Sequence, residues 1–406
     1  MKGICFARCA CRVFAMMMLV AGLLAATPQV SLAQLSRRCD PCPTTPSTGA
    51  AQPGTGAQAG SGDTSETSPA ANLFAQQDVG AAGGGASAAP TMIGDFLGSS
   101  GMVLTLANSP TRTRTVAPPG GAVPRFKMAE NTSPMPMDRV YFDYGFYHNV
   151  QLNDPPSDVN AITSGFEKTF LGGMMSFEMR LPMASTLDSN VYLDGTTRTH
   201  VGEIGDLGMA LKCLLIQCDT VTLSGGLAMT VPTAQDSQYF ANSFDSNPQV
   251  IIKNRSVHLL PFVGGLWIPN DRWFGIGYFQ LDIDSNGDPV DANNTTVGRY
   301  RDATMMYLDL TVGYWAFRGE EHRFLTGLAG VLEVHVNQSL NTASVLEFPS
   351  GNGTVGSPSS ISIVDMTVGA HAEVGKYTTL TAGYCTPLTN QRQFDGEFRM
   401  LMNYRF

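Results

Sequence analysis

The chain has 406 residues, with 43 glycines, 15% charged and 9% aromatic side chains and a net charge of −9, at a mean hydropathy of −0.01. No run of about twenty apolar residues follows the first 34, which excludes a helical membrane protein, and the acidic surplus argues against a nucleic-acid partner. One large β region preceded by a tail fits this composition better than two or three soluble domains.

Residues 1–33 read as a secretory signal peptide. Lys2, Arg8 and Arg12 form its basic start, Val13 to Ala26 its apolar stretch, and Ser31-Leu32-Ala33 a small-x-small cleavage site before Gln34. A signal anchor is the alternative, for which the stretch is short. Cys39 and Cys42 form a CxxC without the second pair a zinc site needs, so a local disulfide in an oxidising periplasm is expected. Residues 34–91 are a low-complexity, disordered linker of Gly, Ala, Ser, Thr and Pro. Residues 92–123 are a partly ordered N-terminal segment, and Met92 to Leu106 is apolar enough to plug the following domain or dock on it.

From residue 124 to 406 the pattern has period 2, as in strands whose faces meet different surroundings. Val140, Phe142, Tyr144 and Phe146 oppose Tyr141, Asp143 and Tyr147. Glu167 to Met183 reads as one strand, and further strands begin near Leu207, Val221, His258, Trp273, Met306, Phe324, Val364 and Tyr377. The last segment, DGEFRMLMNYRF, places Phe398, Met400, Met402, Tyr404 and Phe406 at alternate positions against Glu397, Arg399, Asn403 and Arg405.

An apolar alternation that runs to a terminal aromatic residue resembles the closing strand of bacterial outer-membrane β-barrels of the porin-like kind. The resemblance covers roughly Arg125 to Phe406. It implies an all-β fold, a single antiparallel transmembrane barrel, placed in the outer membrane after export. It also implies outer-membrane lipids and the barrel-assembly machinery as partners, the latter reading the C-terminal strand. Tyr141, Trp267, Trp273, Trp315, Tyr377, Tyr404 and Phe406 stand near strand ends, where interfacial girdles form. Short and long connections alternate, and short ones are periplasmic in such barrels. The link Asn153–Phe166 is the exception, long where a short one is due.

Eleven strands are readable, whereas bacterial barrels have an even number, so about 12 are expected. The first candidate for the missing one is 124–129 (PRFKMA), with Phe126 and Met128 toward lipid and Arg125 and Lys127 toward the lumen. Glu130 to Met137 would be its external loop, and the strand would close the barrel on Gly396 to Phe406. Met102 to Leu106 is the second candidate.

The inward positions are expected to line a pore: Asp143, Glu178, Arg180, Asp206, Lys212, Asp309, Glu333, His335, Asp365, His371, Glu373, Glu397, Arg399 and Arg405. The same charges could instead brace a narrow lumen by salt bridges. Asp282, Asp284, Asn286 and Asp288 with Gly287 match the opening of a calcium loop, but Asn293 stands where such a loop needs its bidentate Glu. A polar hairpin reads the same way, and no other metal or cofactor is implied. The expected function is passive diffusion of small hydrophilic solutes or ions, without enzymatic activity. A structural anchor with no open pore is the alternative. A phospholipase-type barrel enzyme is the third reading, since His148 and His258 could act as bases, though neither is tied by motif to a serine.

Overall fold

A computed structural model describes residues 90–95, 102–106, 113–116, 125–151, 156–185, 189–194, 196, 202–319, 324–351, 353–356 and 360–406. The expected signal peptide, nearly all of the linker, and Cys39 with Cys42 lie outside the described residues. Alternating apolar and polar side chains favour strands with one face toward each of two solvents. Twelve such strands form the wall: β1 Arg139–Val150, β2 Ser157–Phe170, β3 Met175–Ser185, β4 Leu207–Gln217, β5 Val221–Val231, β6 His258–Trp267, β7 Trp273–Asp284, β8 Met305–Arg318, β9 Leu325–Ser339, β10 Ser362–Val374, β11 Thr378–Pro387 and β12 Gly396–Arg405. Each pairs antiparallel with the next, and β12 pairs with β1 from Gly396↔His148 to Arg405↔Arg139, closing the barrel.

The outward face carries Phe142, Ile162, Leu211, Leu227, Leu308, Leu310, Val312, Leu332, Val368, Leu380, Phe398 and Met400, all exposed. A band of this kind is stable in hydrocarbon and not in water. Trp267, Trp273, Tyr377, Tyr404 and Phe406 are exposed at one end of it, where Trp273 packs on Tyr314 and Tyr377 on Tyr404. Tyr141 and Trp315, expected in the same girdle, are buried inside the barrel. Their positions share the inward parity of Asp143 and of Asp309.

That end also holds the barrel's two chain ends and the short turns 171–174, 218–220, 268–272, 319–324 and 375–377. The link 151–156, equally short, and the longer links 186–206, 232–257, 285–304, 340–361 and 388–395 lie at the other end.

The strand count is as expected, but the missing strand is β2 rather than 124–129. Glu167 to Met183 is a hairpin, not one strand. Its turn runs through Leu171, Gly172 and Gly173, all at positive φ, which two glycines make cheap. Asn153–Phe166 is therefore no long link at the short-turn end. It comprises part of a tight link at the opposite end and most of β2. The strand beginning near Val140 accordingly starts at the short-turn end, and the wall begins at Arg139 rather than at 124.

The segment before the wall runs inside it. Pro90 and Thr91 lie beside Trp315, His371, Thr379 and Arg405 at the short-turn end. Asp95 is higher, bonded to Asn337. Met102–Leu106 forms a hairpin with Thr113–Val116 and pairs with Gly353–Gly356 of a long link, so this second candidate is a strand outside the wall. The chain re-enters with Arg125 against Asp282 near the long-link end and descends through Met137 to β1. Glu130 to Met137 is thus luminal, not an external loop. A four-stranded and a five-stranded sheet built from the hairpin and the long links share an apolar cluster including Met102, Leu104, Val250, Ile252, Val290 and Val355. The cluster extends into the wall at Met305 and Tyr307.

Leu310, 54% exposed midway along β8, supplies a test of the outer band. Leu310→Arg should destabilise the barrel by about 2–4 kcal/mol, and Phe406→Arg at the girdle by about 0–1 kcal/mol. Urea titration in phospholipid vesicles measures both, and equal costs would contradict a membrane centred on Leu310.

Candidate functional site

Inward side chains on neighbouring strands stand side by side, so the register sets out polar rows. Asp309, His335 and Asp365 are cross-strand partners on β8, β9 and β10, and Thr311, Glu333 and Thr367 form the next row. All six are buried. Ionised groups removed from water need partners, and the two luminal passes supply them for this upper half of the wall. Glu333 accepts the Ile93 N–H (2.9 Å) and the Gly94 N–H (2.8 Å). Lys127 Nζ bonds to the Asp95 carboxylate, to Asp309 (3.2 Å) and to Asn337 Oδ1 (2.8 Å), and it lies over the Tyr307 ring. Arg125 pairs with Asp282 and Asp302. The Gln280 side-chain amide holds the main chain of the second pass, donating to Phe126 O (2.9 Å) and accepting from Met128 N–H (2.6 Å).

The lower half is largely self-braced. Glu178 pairs with Arg180 (2.6 Å) and Glu167 with both Arg139 and Lys212 (3.0 Å each), while nearer the long links Glu397 pairs with Arg399 (2.8 Å). These cations still reach the second pass. Arg399 meets the Glu130 carboxylate, Arg180 donates to Lys127 O (3.2 Å), and Lys212 donates to Ser133 O (2.7 Å). Gly208 leaves no room for a Cβ, because the Phe126 ring lies on it, with the Arg180 guanidinium 3.9 Å from the ring centre.

Of the fourteen residues expected on the lumen side, twelve are buried there: Asp143, Glu178, Arg180, Lys212, Asp309, Glu333, His335, Asp365, His371, Glu373, Glu397 and Arg399. Arg405 is half-buried at the short-turn end. Asp206 is not luminal. It precedes β4 and accepts the N–H groups of Thr233 and Ala234, so strand parity does not govern it. Arg139, Glu167, Gln280, Asn337, Asp95 and Glu130 also belong to the site without a sequence expectation, whereas Arg125 and Lys127 face the lumen as expected, but from the inner segment and not from a wall strand, and Asn403 is on the expected polar face. Arg139 could have been read from the parity of Tyr141 and Asp143.

The calcium-loop residues do not all converge: Asp284, Asn286 and Asp288 meet as acceptors around Ser256, and Asp282 points elsewhere. Asp282 faces the lumen, on Arg125 and His258 (2.6 Å). Asp284 accepts Gly287 N–H, and Asp288 accepts the N–H groups of Arg255 and Ser256 (2.7 Å each). These are the bonds of a polar turn. Asp95, Asp309 and His335 lie close enough together to hold a metal ion, but Lys127 already supplies a cation to both carboxylates. Of the two candidate bases, His148 bonds to Asp158 (2.9 Å) and His258 to Asp282.

No family model matches the sequence, and no curated protein does. Among solved structures, an outer membrane channel from Pseudomonas putida F1 is similar with a TM-score of 0.48 and 11% identity, over 68% of this chain and 97% of its own. The β domain of the Bordetella autotransporter BrkA gives 0.43 and 15%, over 66% and 100%. The NanC porin gives 0.38 and 9%, over 66% and 98%. Likeness this distant carries no argument about cargo or mechanism. The closed wall, apolar band and aromatic girdle speak for themselves. The molecule is an outer-membrane-type β-barrel.

Lys127 and Asp288 give two measurable consequences. Lys127→Met leaves Asp95 and Asp309 buried without their cation and should cost about 3–5 kcal/mol of unfolding free energy, read by urea titration. Asp288 lies outside the wall, where burial pushes its carboxyl up to about 6 despite the two N–H donors, with Asp284 adding to the rise. The folded value exceeds the ordinary 3.8, so this stability is present at low pH and lost as pH rises through about 6. Amide exchange at Val290 should therefore be better protected at pH 4.5 than at pH 7 after intrinsic correction, and Asp288→Asn should remove the difference.

Proposed function

We propose that the protein is an outer-membrane channel for small hydrophilic solutes or ions, held closed by the two luminal passes of its own N-terminal segment. One observation carries this reading: the upper wall carboxylates Asp282, Asp309 and Glu333 are satisfied by an inner segment that is not part of the wall. A lumen lined with charge is suited to water and solutes, and the peptide within it stands where they would stand. The first pass is the movable part. The stretch 125–137, by contrast, continues directly into β1 and is held by Arg125, Lys127, Gln280, Arg139 and Lys212.

With the first pass displaced, Glu333, Asp309 and Asp365 would dominate the exposed wall, giving a preference for cations. No enzymatic step is assigned. A structural anchor is the second reading. It is favoured by the close packing of the segment on the wall, where one cavity beside it, next to Pro90 and Trp315, has about 20 Å³, enough for about one water.

Gly94 has φ +89°, and a Cβ there would stand 2.8 Å from Arg399 Nη1 and 2.9 Å from Glu130 Cα. Gly94→Val should expel the first pass. In planar bilayers the variant should conduct far more than the unaltered protein, with reversal potentials in a salt gradient showing cation preference. A folded variant without conductance would favour the anchor. Recognition of the C-terminal strand by the assembly machinery is a separate part of the proposal. Deleting Phe406, which points outward, should lower the folded yield in outer membranes more than Arg405→Ala does.

A further inference from the structure

The first pass shows what its place in the wall is shaped to hold. Its main chain is gripped on both donors and acceptors. The Ile93 and Gly94 N–H groups donate to Glu333, Arg399 Nη1 donates to Ile93 O (3.0 Å), and Thr367 Oγ1 donates to Gly94 O (3.1 Å). The side chains are read separately. Ile93 sits in a dimple made by Gly369 and its cross-strand partner Gly383, where Cβ atoms would collide with it. The Asp95 carboxylate meets Lys127 Nζ, Asn337 Nδ2 (2.7 Å) and His335 Nδ1 (3.4 Å). Between them, contact with Arg399 and Glu130 leaves room only for glycine at the middle position.

The second pass also has main-chain bonds, to Gln280, Arg180 and Lys212, and adds ion pairs from Arg125, Lys127 and Glu130 to the wall. Main-chain bonds combined with side-chain pockets are how proteins bind extended peptides: the first give affinity and the second selectivity. The wall groups concerned, Glu333, Thr367, Arg399, Asn337 and His335, are all buried in the closed form, so they are placed before any external ligand arrives.

We propose that the place occupied by Ile93-Gly94-Asp95 is a binding site for short extended peptides with an aliphatic residue, a glycine and an acidic residue in succession. Such acidic peptides are then among the channel's solutes, and the built-in segment is their competitor. The transport part rests on the channel reading above, while the binding part does not.

The test uses the full chain carrying Gly94→Val, folded in detergent and checked by heat-modifiable mobility. The probe is the blocked tripeptide acetyl-Ile-Gly-Asp-amide, titrated by calorimetry. It should bind, and acetyl-Ile-Gly-Lys-amide should bind about tenfold or more weakly, because its ammonium faces Lys127 instead of pairing with it. Adding Glu333→Gln should weaken the acidic peptide by about tenfold or more, since a charged acceptor of two N–H groups is lost. Ile93→Ser, which empties the dimple without a clash, replaces Gly94→Val if that variant does not fold. Absence of binding at millimolar peptide, or equal binding of the two peptides, would overturn the site. Bilayer current with no peptide binding overturns this inference and leaves the channel. Binding without current supports the site and overturns the channel.

Discussion

A charge enclosed in a barrel must be paired, and much of this structure follows from that requirement. A transmembrane strand gives one side to lipid and turns its polar side inward, so every closed barrel gathers ionisable groups around its axis. Water commonly satisfies them. Here peptide does much of that work: Arg125, Lys127 and Glu130 bring opposite charge to the wall, and the carbonyls of Lys127 and Ser133 accept from Arg180 and Lys212. Removing one member of such a pair exposes its partner to a medium that cannot solvate it. The inner segment therefore stabilises the wall, and the wall orders the segment.

The pairing is uneven along the axis, which gives the closed form a direction. Toward the short turns, Glu167 and Glu178 have cationic neighbours in the wall itself, as Glu397 has in Arg399 nearer the long links. Toward the long links, Glu333 and Asp309 look to the first pass and Lys127, and Asp282 to Arg125 and His258. The short-turn half can remain satisfied if the first pass moves, whereas the other half needs ions, water or another ligand in its place. The same asymmetry places the peptide-shaped site of residues 93–95 where dependence on an occupant is greatest.

Much of this was legible because alternation reports on two faces. The residues from Phe398 to Phe406 revealed the closing strand, and parity required a twelfth strand. The location of that strand was hidden by β2 itself, which turns Val159 and Ala161 inward and presents Asp158, Asn160, Ser164 and Lys168 outward. Small apolar groups inside and polar ones outside blur the expected contrast, which Ile162 and Phe170 outside and Thr163 and Glu167 inside still uphold. Gly172-Gly173 carried the missing signal, a hairpin turn in the middle of a run too long for one crossing. Arg125 to Met128 was misplaced for the opposite reason. Its alternation is clear, but inside a lumen both faces of a strand are buried, so period 2 does not distinguish a wall from its contents. The wall partners of Lys127 and Glu333 lie in remote parts of the chain, and no local pattern pairs them.

The path of residues 90–137 also constrains how the molecule can be assembled. The segment rises through the barrel, takes part in a sheet beyond the long-link end and descends again before β1 starts. Threading that loop through a finished barrel would require passing two stretches of chain together with the hairpin Met102–Leu106/Thr113–Val116 along a filled axis. The opposite sequence of events has no such obstacle: the strands gather around the segment as an open sheet, and the seam between β12 and β1 is joined last. The final pairing of Gly396–Arg405 with Arg139–Val150 is then a clasp that locks residues 90–95 and 125–137 inside it.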